Sequence, residues 1–284
     1  MSAIFDNFQK QKDFLLCVDS DGCAMDTMDI KHIRCFGPCM VEEWKLGQWS
    51  NPILSRWNEI NLYTLTRGVN RFKGLAIALR EISEKYTPID GLQELEAWVE
   101  HSQELSNGAL EKVISEGGGI CLQKALHWSQ SVNRAIAALP EEVKRPFPGV
   151  LDALAQAHIS ADIAVVSSAN RQAIVEEWEK YGLAQHVDLI LAQDAGTKAA
   201  CIAALLKKGY PSHHVLMVGD APGDRSAAEK NGVWFYPILV RQEAQSWKEL
   251  TEKALPLLLS EDYGEYGKEK SAEFENHLRH SSGS

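Results

Sequence analysis

From Phe14 the chain runs FLLCV and then breaks into the polar stretch Asp19–Ser20–Asp21–Gly22. Short apolar runs return after Pro146: IAVVS at 163–167, VDLILA at 187–192, VLMVG at 215–219 and VWFYPIL at 233–239. Between them lie segments of helical pattern at 171–181, 198–208 and 225–230. Apolar runs of about five residues that alternate with amphipathic helices predict parallel strands covered on both faces. The reading is an α/β fold built on an open parallel sheet.

The stretch from about Met28 to Arg145 is patterned differently. Apolar residues recur at helical spacing in Trp57–Ile60–Leu62, Leu75–Leu79–Ile82, Leu92–Leu95–Val99 and Leu122–Leu126, with no alternating run. It holds five of the eight tryptophans (44, 49, 57, 98, 128), expected chiefly as core, and the run Gly117–Gly118–Gly119 as an internal loop. It predicts a mainly helical domain inserted after the first strand. Pro148 and Gly149 then punctuate the return to a helix of the sheet domain. The expected organisation is a core at 1–26 and 146–260, an insertion at 27–145, and a polar tail or loosely docked helix at 261–284.

Composition narrows the function. The 39 acidic against 29 basic residues give a formal charge of -10, which argues against a nucleic-acid backbone as partner. No basic leader followed by an apolar run and no span of about eighteen apolar residues is found, so a soluble cytoplasmic protein without membrane contact is expected. The six cysteines (17, 23, 35, 39, 121, 201) have no paired spacing and read as reduced thiols. Cys35, Cys39 and His32 lack a second pair to complete a zinc site and are expected to pack and cap.

In open parallel sheets ligands bind beyond the carboxyl ends of the strands. Those ends carry Asp19 and Asp21, then Ser167 and Ser168, then, after the third run, Lys198 at a helix start, then Asp220 and Asp224. Four carboxylates converging on one spot repel, each pair near 4 Å by about 4 kcal/mol at an effective dielectric of about 20. A hard cation relieves that repulsion, and oxygen ligands with incomplete protein coordination suit Mg2+ beside a phosphate. Lys198, Ser167 and the helix N-termini supply donors for the anion. Asp26 reads as a helix-start or turn residue.

With these four elements in order, the chain resembles the haloacid dehalogenase-like superfamily of phosphohydrolases. The elements are D-x-D-G at 19–22, a strand-end serine at 167, a lysine at 198 and G-D-x-x-x-D at 219–224. The resemblance covers roughly residues 10–26 and 146–240, and it implies a Rossmann-like core whose insertion is a type-1 helical cap. At 119 residues, 27 to 145, that insertion is long for such a cap. The chain departs from the family at Cys23, where threonine is usual, and at Ala199, where proline often follows the lysine; neither change removes a catalytic group.

The resemblance implies Asp19 as nucleophile, forming an aspartyl-phosphate, and Asp21 as the acid that protonates the leaving oxygen and later the base that activates water. It implies Mg2+ on the Asp19 side chain, the Asp21 carbonyl and Asp220, with Asp224 ligating or hydrogen-bonding around the ligands. Ser167, Lys198 and the backbone at Gly22 would hold the phosphoryl group. In the insertion, Arg67, Arg71 and Lys73 stand between two glycines; Arg71 and Lys73 are candidates to clamp a distal anionic part of a small phosphorylated metabolite, against the blander reading of a solvated helix face. Hinges are expected near Thr27–Met28 and Arg145–Pro146. The expected activity is a Mg2+-dependent phosphatase; a phosphomutase would share every core residue, and a binding or scaffold protein would keep the site without turnover.

Overall fold

The computed structural model describes residue 5 and residues 7–280. Seven strands are found among the described residues: β1 (Phe14–Val18), β2 (Met25–Asp26), β3 (Arg145–Pro146), β4 (Ala161–Val166), β5 (Leu189–Leu191), β6 (Val215–Gly219) and β7 (Trp234–Pro237). Five of them make a parallel sheet in the order β5-β4-β1-β6-β7, the open parallel sheet the apolar runs predict and the Rossmann-like core the resemblance implies. β1 is central, with Cys17 opposite Ala164 on one side and Met217 on the other. Its residues Leu15 to Val18 are fully buried, which is why the segment is continuously apolar.

Crossover helices cover this sheet: Val150–Ala157, Arg171–Lys180, Lys198–Leu206 and Pro222–Asn231. The last begins earlier than its periodicity predicts, because Pro222 at the first turn is preset for helix, and this brings Asp224 inside the helix. β2 and β3 pair antiparallel, Met25 opposite Pro146 and Asp26 opposite Arg145. Asp26 therefore lies in a strand, not at a helix start; two residues are too few for a period to show in sequence.

Contacts divide the chain into two compact units, residues 1–28 with 142–284 and residues 29–141. The second unit is helical: Gly37–Glu43, Ser50–Asn58, Arg71–Lys85, Leu92–His101, Asn107–Ser115 and Ile120–Ala137 are its main helices. Its core is aromatic, with Trp57 edge-on to Trp128 at 6.0 Å and Phe72 edge-on to Trp98 at 5.1 Å. The Trp57 indole donates to His32 Nδ1 at 3.2 Å and Trp128 to the Phe36 carbonyl at 3.1 Å, so His32 is committed to packing.

After Ser260 the chain forms a firmly packed helix, in place of the expected polar tail or loosely docked helix. Tyr263–His280 is one helix, and its Tyr263, Phe274 and Leu278 are buried. The Tyr263 hydroxyl donates to the Phe235 carbonyl of β7 at 2.9 Å, and Phe274 packs edge-on to Phe235 at 5.2 Å. The apolar positions are too widely spaced among charged ones to give a strong periodic signal. No described helix is long and apolar enough to cross a membrane.

Candidate active site

Asp19 is the first residue past β1, and its N–H still donates to the Val218 carbonyl of β6 at 3.0 Å, so the ladder fixes its backbone. The side chain is buried; Oδ1 accepts the Ser20 N–H at 2.7 Å and Oδ2 lies 2.6 Å from Lys198 Nζ. Asp220 is the first residue past β6, the neighbouring parallel strand, so sheet register alone brings the two acids together.

Asp224 arrives by a different route. Helix Pro222–Asn231 starts at once after β6, and the Asp224 carboxylate folds back to accept the Ala221 N–H at 3.1 Å through Oδ2. Its other oxygen, Oδ1, meets Lys198 Nζ at 2.5 Å. The space is made by Gly219: a β-carbon there would lie 2.3 Å from Asp224 Cγ. The glycine of G-D-x-x-x-D is thus a steric necessity of the second aspartate.

Lys198 opens helix Lys198–Leu206, whose N-cap Thr197 accepts from the Ala200 N–H at 3.2 Å. An ammonium at a helix N-terminus opposes the macrodipole. Asp19 and Asp224 supply the compensation. Burial alone would lower the lysine, but the two carboxylates outweigh it and hold Lys198 well above the usual lysine range. Burial pushes Asp224 up to about 6, against the pull of Lys198 and with Asp19 adding repulsion. One ammonium facing three buried carboxylates explains both directions.

Carboxylate oxygens of Asp19, Asp220 and Asp224 lie within 4.8 Å of one another, all on buried residues. An all-oxygen donor set with excess negative charge fits a hard divalent cation such as Mg2+. Asp19, Asp220 and Asp224 are the residues that could hold such an ion, with Lys198 paired to both Asp19 and Asp224.

The loop between β1 and β2 holds Asp21. Gly22 takes a positive φ of 80°, and its N–H donates to the Met25 carbonyl at 2.9 Å, closing a tight turn. The Ser20 carbonyl accepts from the N–H groups of Cys23, Ala24 and Met25. Asp21 Oδ1 accepts the Thr27 hydroxyl at 2.5 Å. Thr27, fully buried, was not singled out by the motif pattern; its position six residues past Asp21 carries no periodic signal. Two tryptophans also escaped sequence reasoning: Trp178 Nε1 donates to Ser20 Oγ and Trp247 Nε1 to the Cys23 carbonyl, both at 2.9 Å. They brace the loop from the core side. Burial and the Asp220, Asp19 and Asp224 carboxylates push the Cys23 thiol far up, so it is inert packing.

Ser167 is buried at the end of β4, beside β1; its Oγ accepts the Ala169 N–H at 3.3 Å and its own N–H reaches the Leu191 carbonyl at 2.9 Å. The hydroxyl proton is left for another acceptor. Ser168 is exposed. In the helical unit, Arg71 Nη1 donates to Asn133 Oδ1 at 2.7 Å and Ser129 Oγ at 3.0 Å, and its guanidinium lies 5.2 Å from the Phe36 ring. Lys73 is exposed and Arg67 is buried, donating to the Leu62 carbonyl at 2.7 Å. Arg71 and Arg67 are thus held by their own unit.

A sequence model of the haloacid dehalogenase-like hydrolases matches residues 69–238, which include Ser167, Lys198, Asp220 and Asp224. No curated protein sequence matches the chain. Among solved structures, a provisionally named phosphoglycolate phosphatase from Lactobacillus delbrueckii subsp. bulgaricus is 14% identical with a TM-score of 0.49, covering 85% of this chain and 99% of its own. A provisionally named haloacid dehalogenase-like hydrolase from Bacteroides fragilis is 16% identical with a TM-score of 0.48, covering 83% and 93%. A provisionally named β-phosphoglucomutase from Thermotoga maritima is 14% identical with a TM-score of 0.47, covering 84% and 99%. The named activities belong to those proteins.

Proposed function

The chain belongs to the haloacid dehalogenase-like hydrolases, and from that premise we propose that it is a cytoplasmic, Mg2+-dependent phosphatase of a small phosphorylated metabolite. The observation that carries the reading is the buried set Asp19, Lys198, Asp220 and Asp224, in which one ammonium leaves three carboxylates undercompensated. All six cysteines are free, as a reducing compartment allows.

Asp19 attacks phosphorus in line while the P–O bond to the leaving oxygen breaks, and an aspartyl-phosphate forms on the carboxylate. Lys198, 2.6 Å from Asp19 Oδ2, pairs with that side chain and turns to the phosphoryl oxygens as charge moves onto them. The hydroxyl of Ser167 is a further donor, whereas the N–H groups of Asp19, Ser20 and Gly22 are spent within the fold on the Val218 carbonyl, Asp19 Oδ1 and the Met25 carbonyl. Asp21, protonated, gives its proton to the departing alkoxide; as the carboxylate it then takes one from the water that cleaves the acyl phosphate. Thr27 holds the Asp21 carboxyl in one rotamer between the two steps. Asp19, Asp220 and Asp224 would hold Mg2+, which when bound neutralises charge on the phosphoryl oxygens and offsets the repulsion among the acids. Arg71 and Lys73 are proposed, as expected from sequence, to serve the distal part of the substrate.

The test is hydrolysis of p-nitrophenyl phosphate and a panel of phosphorylated metabolites by the wild type and Asp19→Asn. Turnover that depends on Mg2+ and vanishes in the variant supports the reading. Turnover retained in Asp19→Asn, or in excess chelator, contradicts it.

A further inference from the structure

A second cluster of potential ligands lies at the other end of β6 from Asp220, about five residues or roughly 16 Å away along the strand. His213 and His214 close the short turn that leads into β6, and Glu261 stands between the helices Leu255–Leu259 and Tyr263–His280. His214 Nε2 is 3.4 Å from Glu261 Oε1 and His213 Nε2 is 3.6 Å from Glu261 Oε2. One ligand atom from each of the three residues lies within 4.8 Å of the others.

From this geometry we infer that His213, His214 and Glu261 bind a divalent transition-metal ion of the zinc type. Three observations carry it. First, donors about 2.0–2.1 Å from a shared tetrahedral ion stand about 3.3–3.4 Å apart; the two histidine-to-glutamate distances, each to a different carboxylate oxygen, are close to that and longer than ordinary hydrogen bonds. Second, His214 Nδ1 lies 3.2 Å from the Asp13 carbonyl, which can only accept, so the ring proton sits on Nδ1. Its Nε2 faces the Glu261 carboxylate, buried and with no hydrogen-bond partner. A divalent cation between this nitrogen and the carboxylate oxygen would bond to both. An imidazole that donates its far nitrogen to a backbone carbonyl is also the usual arrangement of a metal-ligating histidine. The Phe14 ring, stacked on His214 at 4.3 Å, fixes the plane of the imidazole.

Third, Glu261 has a φ of 63°. It follows a helix whose Leu258 carbonyl accepts the Glu261 N–H at 3.1 Å and whose Leu257 carbonyl accepts the Asp262 N–H at 2.9 Å, a closure in which glycine is favoured. A left-handed glutamate at that position carries strain that a glycine would not, and the strain aims the carboxylate at both imidazoles. Two imidazoles and one carboxylate select zinc-like ions over Mg2+, and His213 and Glu261 are half exposed, leaving a position open to water. The ion would clip the corner at 260–262 to the start of β6, independently of the chemistry at Asp19.

The experiment is calorimetric titration of the chelator-stripped protein with Zn2+ in saturating Mg2+, alongside its thermal unfolding. The expected result is one Zn2+ per chain and a raised melting temperature, with binding weakened about 100-fold by His213→Ala and by the isosteric Glu261→Gln. Both side chains are exposed, so the variants should melt like the stripped wild type; were His213→Ala to misfold, Glu261→Gln alone decides. Co2+ should bind with d–d bands and no thiolate charge-transfer band. Undiminished Zn2+ binding in Glu261→Gln, a thiolate band, or no binding at about 100 µM Zn2+ would overturn the inference.

Discussion

The Thr27 hydroxyl donates to the Asp21 carboxylate at 2.5 Å, across the turn that links β1 to β2. Thr27 is fully buried, so this donor is directed at the acid and not at solvent. Thr27→Val keeps the shape and removes the donor. A hydrogen bond to a charged group contributes about 1.5–3 kcal/mol, so kcat should fall about ten- to a hundred-fold with KM little changed, while Thr27→Ser retains most activity. Equal kinetics for valine and threonine at 27 would remove the hydroxyl from any role in positioning Asp21.

Gly219 and Asp224 share one space. A methyl group at 219 meets Asp224 Cγ at 2.3 Å, so Gly219→Ala forces the carboxylate off Lys198 and the Ala221 N–H. Overpacking of this kind costs about 1–3 kcal/mol. The variant should melt lower and lose turnover, both measurable on one preparation by differential scanning fluorimetry and a phosphate-release assay.

Asp224 also sets a pH dependence. Its folded pKa, pushed by burial up to about 6, lies above the value of 3.8 for a free side chain. The folded state therefore binds this proton more tightly than the unfolded state, and stability from the group is present at low pH and lost as pH rises from about 4 to about 6. The loss is on the order of 3 kcal/mol. In chelator, the stability of the wild type relative to Asp224→Asn should decline across that window, and Mg2+ should restore it at pH above 6. A flat difference in thermal unfolding from pH 4 to 7 would contradict the electrostatics of the site.

The terminal helix is part of the fold. Phe274 is buried against Phe235 of β7, and Phe274→Ala should cost about 3–5 kcal/mol. Chemical denaturation checks the number; kcat of the protein that remains folded should be unaltered.

The sheet was legible because its strands are buried on both faces, so each run announces itself: β1 and β6 have the bounds their apolar stretches predict. The acids past those strands were legible for the same reason, since strand ends mark a site in a parallel sheet. What stayed hidden depends on geometry that no period encodes. Thr27 reaches Asp21 across a glycine turn, and Trp178 reaches Ser20 over 158 residues of sequence. Arg71 looked like a free basic residue, yet Asn133 and Ser129 from a distant helix engage it. The firm docking of the helix at 263–280 went unseen because Phe274 and Leu278 are diluted in sequence by charged neighbours.

The central claim is that Asp19 carries the phosphoryl group. Asp21→Asn, which lacks the base for the second step, should accumulate the acyl phosphate when mixed with a substrate whose leaving group needs no acid. The direct measurement is rapid quench of that variant with an aryl phosphate, followed by peptide mass spectrometry. The account predicts a hydroxylamine-labile phosphoryl group on Asp19, absent when Asp19→Asn is added to Asp21→Asn. Substrate turnover with no phosphoryl group on Asp19, or with one on a different residue, would contradict it.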